Sequence, residues 1–285
     1  MRRAMKKNLY FGKLAAALAI CLAFTVTASA QRKLTILHVN DTHSHVEPFP
    51  ERNGNGQVGG VIERAAFIDS VRKAEGKRNV LLLHAGDFSQ GTSYFTLLKG
   101  DIEIDLMNAL KYDVAALGNH EFDNGLEELA RRLRSLKKTK MVCCNYDFSP
   151  FEVGKYVKPY VIVKRAGMKI GVIGLLTDVS SVVAKTIADR LPKLDDAAQV
   201  NRWADYLKNE KHCDLVIALT HIGYKGESSD CALVPATRNL DLVVGGHSHT
   251  FLTKMEPATD MDGRTVPIVQ DGCWGEYVGQ LTVIR

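Results

Sequence analysis

Long apolar runs are scarce in this 285-residue chain. The longest, residues 14–24, stops well short of the roughly 20 residues a bilayer span requires, and no other stretch could serve as one. No C-x-x-C pair occurs, so a thiolate zinc site is not expected. Internal repeats and low-complexity tracts are absent, and nothing marks an interdomain linker. A lasting charge surplus is missing too. Residues 1–30 hold five of the 37 basic residues and none of the 32 acidic ones, so the remainder balances at 32 of each. The formal charge of +5 belongs to that first segment, and a nucleic-acid polymer is not expected as a partner.

The first segment reads as a leader. Arg2, Arg3, Lys6, Lys7 and Lys13 precede the apolar run, and Ala28-Ser29-Ala30 supplies small residues at cleavage positions. That order is the pattern of a secretory signal peptide over 1–30, cleaved after Ala30. A lipid anchor at Cys21 would need a small residue before it, and Ile20 stands there. The expected location is secreted or periplasmic, with no membrane span after cleavage. Beyond the leader, residues 31–285 suit one large domain. Five cysteines remain there, an odd number. Cys143 and Cys144 sit in an apolar run and read as small core residues. Cys213 and Cys231 could pair in an oxidising compartment, a pairing the sequence leaves open.

Apolar, β-prone runs recur at residues 34–39, 80–83, 114–117, 141–144, 161–163, 170–175, 215–219, 242–244, 268–269 and 278–284. Their short, continuous apolarity indicates buried strands. Helical faces fall between them: Val61, Ala65 and Ile68; Leu126, Leu129, Leu133 and Leu136; Val200, Trp203, Ala204 and Leu207. Asp195 or Asp196 would cap the last. Ala166-Gly167 between two apolar runs predicts a hairpin, and residues 47–59, rich in Pro, Gly and Asn, a loop. Strands alternating with helices place the chain in the α/β class.

The most informative pattern is positional. Five apolar runs end in a carboxylate, amide or imidazole: Asn40-Asp41-Thr42-His43, His84-Ala85-Gly86-Asp87, Gly118-Asn119-His120-Glu121, Thr220-His221 and Gly245-Gly246-His247-Ser248-His249. Ligands of open α/β sheets bind beyond the carboxyl ends of the strands. Converging there, the strand ends would supply Asp41, His43, Asp87, Asn119, His221, His247 and His249. This nitrogen and oxygen set suits Zn, Mn, Fe or a similar divalent ion. Seven ligands exceed one tetrahedral metal; two metals sharing a carboxylate would use them all. Singly, each fragment has a plainer reading: Asp41, Asp87 and Asn119 as turn residues, His221 as a hydrogen-bonded core histidine. His247-x-His249 is the stronger signal, since i,i+2 spacing in extended chain points both imidazoles the same way.

Asp41-x-His43, Gly86-Asp87, Gly118-Asn119-His120-Glu121, His221 and Gly246-His247-Ser248-His249 together resemble the signature of calcineurin-like metallophosphoesterases. Residues 119–125 and 40–43 resemble the N-terminal catalytic domain of the 5′-nucleotidase branch in particular. The resemblance covers nearly all of residues 33–285. It implies two packed β-sheets flanked by helices in four layers, with metals at the sheet ends. It also implies that Asp41, His43, Asp87 and His249 hold one ion, and Asp87, Asn119, His221 and His247 the other. Such ions supply hydroxide at neutral pH and polarise a phosphoryl group.

The resemblance assigns His120 to transition-state charge and the leaving oxygen, with Asp123 orienting its imidazole. Asp123 could instead cap the helix beginning near Leu126. His38 and His84 read as structural, His45 as a neighbour of the metal ligands, and His212 as exposed. Phe88, Tyr94, Phe95 and Phe122 either line the site's mouth or pack in the core. Full-length 5′-nucleotidases carry a further C-terminal domain that grips the nucleoside, whereas this sequence stops at Arg285 after its last core strand. A separate protein could supply that domain. The expected substrate is a phosphate ester, most simply a nucleotide monoester. The alternatives are a 2′,3′-cyclic nucleotide phosphodiesterase/3′-nucleotidase or a noncatalytic metal-binding module, and the resembling family extends to sulfur-linked substrates.

Overall fold

The computed structural model describes residues 31–50 and 57–285; the leader reading falls outside them. Two six-stranded sheets carry the fold. The first has the order β14 (Gly279–Ile284), β1 (Lys33–Val39), β4 (Val80–His84), β5 (Val114–Ala116), β6 (Lys140–Val142), β7 (Val157–Lys158). Its neighbours run parallel except β14, which closes antiparallel on β1. The second has the order β12 (Glu256–Thr259), β13 (Thr265–Val269), β11 (Leu242–Val244), β10 (Leu215–His221), β9 (Met168–Leu176), β8 (Tyr160–Arg165). There β9, β10, β11 and β13 are parallel, and β12 and β8 are antiparallel edges.

The period-2 alternation of strand side chains builds four layers from this sequence. Leu34 and Ile36 of β1, Leu81 and Leu83 of β4, and Val114 of β5 meet Ile170, Val172, Ile217, Leu219 and Val244 between the sheets. The alternate residues Leu37, Val39, Val80 and Leu82 face outward onto Val61, Ile68 and Val71 of helix α1 (Val61–Glu75). Ile104 and Met107 of α3 (Asp101–Leu110) and Leu126, Leu129 and Leu133 of α4 (Leu126–Arg134) join them; α2 (Ser93–Leu98) precedes these. On the other outer face, Ile173, Leu175, Val216 and Val243 pack on Val200 and Ala204 of a helix over Asp196–Asp205. Asp195 caps that helix, accepting from the Ala198 N–H at 2.7 Å.

All ten apolar runs form strands. The 166–167 hairpin forms between β8 and β9, with φ of 51° at Ala166 and 70° at Gly167, the doubly left-handed turn that matches strand twist. Segment 47–59 differs slightly from a pure loop: Phe49–Pro50 (β2) and Gln57–Val58 (β3) make a two-residue antiparallel pair. Cys143, Cys144, Cys213, Cys231 and Cys273 are all free thiols, so Cys213 and Cys231 do not pair. Phe88 and Phe122 pack in the core, and Tyr94 donates its hydroxyl to Glu47 at 2.7 Å. No helix among the described residues is long and apolar enough to cross a membrane.

Candidate metal centre

The five flagged segments meet beyond the carboxyl ends of β1, β4, β5, β10 and β11. Asp41, His43, Asp87, Asn119 and His221 are nearly or fully buried, a cost that isolated carboxylates and imidazoles do not sustain without partners. Nitrogen and oxygen atoms of Asp41, His43 and His249 lie within 4.8 Å of one another, and so do those of Asp87, His221 and His247. Asp87 stands between the groups, its Oδ2 3.0 Å from His221 Nε2 and 3.9 Å from His43 Nε2. A third grouping joins His43, Asp87 and His120. The Asn119 side-chain oxygen is buried beside them without a hydrogen-bond partner.

The atoms fit cations. His221 Nδ1 donates to the Ala85 carbonyl at 2.7 Å, so in a neutral ring Nε2 aims a lone pair at the Asp87 carboxylate. His43 Nε2 and His249 Nε2 face each other at 2.9 Å, with Asp41 Oδ1 3.8 and 3.4 Å from them. Lone pairs and carboxylates aimed into one space repel unless a proton or metal ion sits there. Titration behaviour reflects the same demand. Burial would lower His221, but Asp87 and Asp41 outweigh it and raise the imidazole to about 10. The Asp41 hydrogen bond raises His249 to about 10. Burial opposes ionisation of Asp87, yet His221 holds its carboxyl well below the usual range.

Left-handed backbone shapes the ligand loops. Asp41, His43, Asp87, His247 and His249 have φ between 46° and 80°, a region that non-glycine residues rarely adopt and that clusters at functional sites. It corrects the extended-chain reading of His247-x-His249. The backbone turns between them, and the rings part: His247 lies 5.1 Å from the His221 ring, His249 5.0 Å from His43. Glycine is required where loops cross. A Cβ on Gly118 would sit 2.2 Å from Asp87 Oδ1, and one on Gly86 2.7 Å from His221 Nδ1.

Buried polar residues hold the loops. Glu121 accepts the N–H groups of Gly118, Asp87 and Ser89 at 2.7, 2.9 and 3.0 Å. Its burial and the nearby Asp87 raise its carboxyl to about 7. Buried Arg132 donates to the Glu121 carbonyl at 2.7 Å and to Ser89 Oγ at 3.1 Å. Sequence reasoning missed Gln270 and Asp271. Gln270 accepts from the Thr250 N–H and donates to the Gly246 carbonyl, gripping both sides of the His247–His249 turn. The Asp271 N–H donates to Asn40 Oδ1, whose amide donates to Asp41 Oδ2. The signal was present: Gln270-Asp271-Gly272 follows β13, a sixth apolar strand ending in polar residues. His38, 2.6 Å from Asp271 Oδ2, and His84, 3.1 Å from Thr42 Oγ1, are buried structural histidines; His212 is exposed.

His120 and Asp123 stand at the rim. His120 Nδ1 lies 2.9 Å from Asp123 Oδ2, and that bond raises the imidazole above its usual value. Asp123 is not the helix cap; Gly125 occupies that position and no side chain caps α4. An open cavity of about 640 Å³ includes His43, Asp87, Asn119, His120, His247 and His249 among its walls, with His45 and Trp274 beside them.

Two packed sheets presenting Asp, Asn and His from their parallel strand ends define a metallophosphoesterase-type domain. The calcineurin-like phosphoesterase family model matches residues 34–251, and the chain belongs to that family. The snake venom 5′-nucleotidase of Naja atra is 37% identical over 273 residues, 88% of this chain and 50% of that protein. The 5′-nucleotidase of Homo sapiens is 35% identical over 277 residues, 90% of this chain and 47% of its own length. The structure of a 5′-nucleotidase precursor from Thermus thermophilus superposes with a TM-score of 0.79 at 35% identity, covering 88% of this chain and 51% of that one. The chain thus spans about half the length of these relatives.

Proposed function

We propose that this chain is an exported phosphohydrolase using two divalent ions, with residues 1–30 as a cleaved leader and 31–285 as the catalytic unit. The reaction is hydrolysis of phosphate monoesters, with nucleotides of the 5′-nucleotidase type as substrate class. One observation carries the reading: Nε2 atoms of buried His43 and His221 and of partly exposed His249 converge on the buried carboxylates of Asp41 and Asp87. Asp41, His43, Asp87 and His249 would hold one ion, and Asp87, Asn119, His221 and His247 the second. Bound there, the ions would provide hydroxide at neutral pH and withdraw charge from the phosphoryl oxygens.

The other steps fall to the chain's own groups. His120, its imidazole oriented and made more basic by Asp123, would stabilise the charge on the phosphoryl group and deliver a proton to the departing oxygen. Glu121 would fix the Asp87 and Gly118 loops so that no reorganisation accompanies the reaction. The relatives are about twice as long, and nucleoside recognition would draw on a region beyond the residues matched here.

The test is metal analysis of purified protein together with hydrolysis of AMP, p-nitrophenyl phosphate and bis(p-nitrophenyl) phosphate, with and without chelator. The expected outcome is about two ions per chain, monoester turnover abolished by chelator, and little diester cleavage. Preferential diester cleavage moves the reading to a phosphodiesterase; protein that retains ions but cleaves nothing is a binding module. High efficiency on AMP with strong base preference would place nucleoside recognition within this chain.

A further inference from the structure

The cavity above the metal centre has one wall that the proposed chemistry does not use. His45 and Trp274 line it beside the ligand histidines. Their rings stack at 5.2 Å with an interplanar angle of 25°. Phe49 packs edge-on against both, at 5.8 Å from His45 and 6.0 Å from Trp274. Each stacked residue is tied to a ligand loop: His45 Nδ1 bonds the His43 carbonyl at 2.9 Å, and the Trp274 N–H donates to the Asp41 carbonyl at 2.6 Å.

Trp274 also occupies left-handed backbone, φ 62°. That region strongly favours glycine, and a bulky residue held there costs on the order of 1 kcal/mol. Resting on the phosphohydrolase reading, we propose that the His45–Trp274 stack is the leaving-group subsite of this chain, taking the planar aryl or heteroaryl ring of a phosphate monoester. An incoming ring extends the stack while the phosphoryl group reaches the metal centre below. The cavity, about 640 Å³, has the size of ordinary small-molecule sites. Stacking accepts any flat ring, because every such ring presents a π-face. The subsite therefore confers a preference for planar rings without reading base identity.

The experiment compares kcat/KM for an aryl monoester, p-nitrophenyl phosphate, with that for an alkyl monoester, glycerol 2-phosphate. Trp274→Gly removes the ring at a backbone position glycine prefers, so folding is not at risk from strain. Its aryl-to-alkyl ratio should fall roughly 5- to 100-fold, chiefly through KM for the aryl ester. Trp274→Phe, which keeps a flat ring, should recover most of the ratio. A second readout needs no turnover. In Trp203→Phe protein the remaining emission comes from Trp274, since the sequence has two tryptophans, and adenosine should quench it whereas ribose should not. A ratio unchanged in Trp274→Gly, or emission indifferent to millimolar adenosine, overturns the subsite while leaving the phosphohydrolase reading intact. A parent protein inactive on both esters overturns that reading and this one with it.

Discussion

The two sheets bring different chemistry to the same cavity. The first contributes both carboxylates, Asp41 and Asp87, with Asn119, one ligand-type histidine and the His120–Asp123 pair. The second contributes imidazoles alone: His221, His247 and His249. Their surroundings differ as well. The first sheet's Asp41, His43, Asp87 and Asn119 are at most 5% exposed, and their loops interlock through backbone bonds from Asp41 to Gly86 and from His43 to Asp87. The His249 side chain is 39% exposed. One half is a buried anionic cradle, and the other brings imidazoles against it. Buried like charges become tolerable only when a cation joins them, so the first half creates the demand and the second helps meet it.

The largest effect should come from opposing those halves directly. Asp87→Asn removes the carboxylate shared by both groupings. It should lose both ions and lower turnover by roughly 10³-fold or more. His249→Ala removes one partly exposed donor. It should weaken one ion by at least about 10- to 100-fold, with activity recovering as metal is added in excess. Elemental analysis and activity against metal concentration read both variants. Equal, unrecoverable losses would break the asymmetry between the sheets.

A further variant tests whether His120 belongs to the cradle or to the chemistry, since it also falls within 4.8 Å of His43 and Asp87 groups. As the proton donor, His120→Asn should lower kcat by roughly 10²–10⁴-fold with metal content near that of the parent. Metal loss instead would make it a ligand. Asp123→Asn should move kcat in the same direction by less, because its bond orients the imidazole and raises its proton affinity while the ring itself remains.

This contrast also marks what a sequence can disclose. Strand identity was legible because alternating Leu, Ile and Val in β1 and β4 each serve one of two buried faces. The meeting of Asp41, His43, Asp87, Asn119, His221, His247 and His249 was legible because each ends an apolar run. The direction of each ring was not. Residues 247 and 249 look extended by spacing, and the left-handed turns at both positions separate their rings. Gln270 and Asp271 escaped notice because they act through backbone groups of distant loops, contacts no local pattern encodes. Trp274 escaped because aromatics at a site's rim and in a core look alike until burial is known.

The smallest effect concerns buried carboxylates that back each half. Glu121, behind the first, has three backbone N–H donors. Asp230, behind the second, accepts from Thr220 Oγ1 at 2.6 Å, while its Oδ2 is buried without a partner. Burial raises Asp230 to about 7 despite that hydrogen bond and the nearby His221. An acid whose folded pKa lies above its unfolded value binds more protons when folded. Its contribution is therefore full below about pH 4 and lost as pH rises through about 7. Asp230→Asn, uncharged throughout, should flatten that decline. Between pH 5.5 and pH 8 the parent should lose on the order of 1–3 kcal/mol relative to the variant, read from chemical-denaturation midpoints at each pH. Parallel profiles would mean that Asp230 finds a partner for its ionised form, and that the second sheet backs its imidazoles as firmly as the first backs its carboxylates.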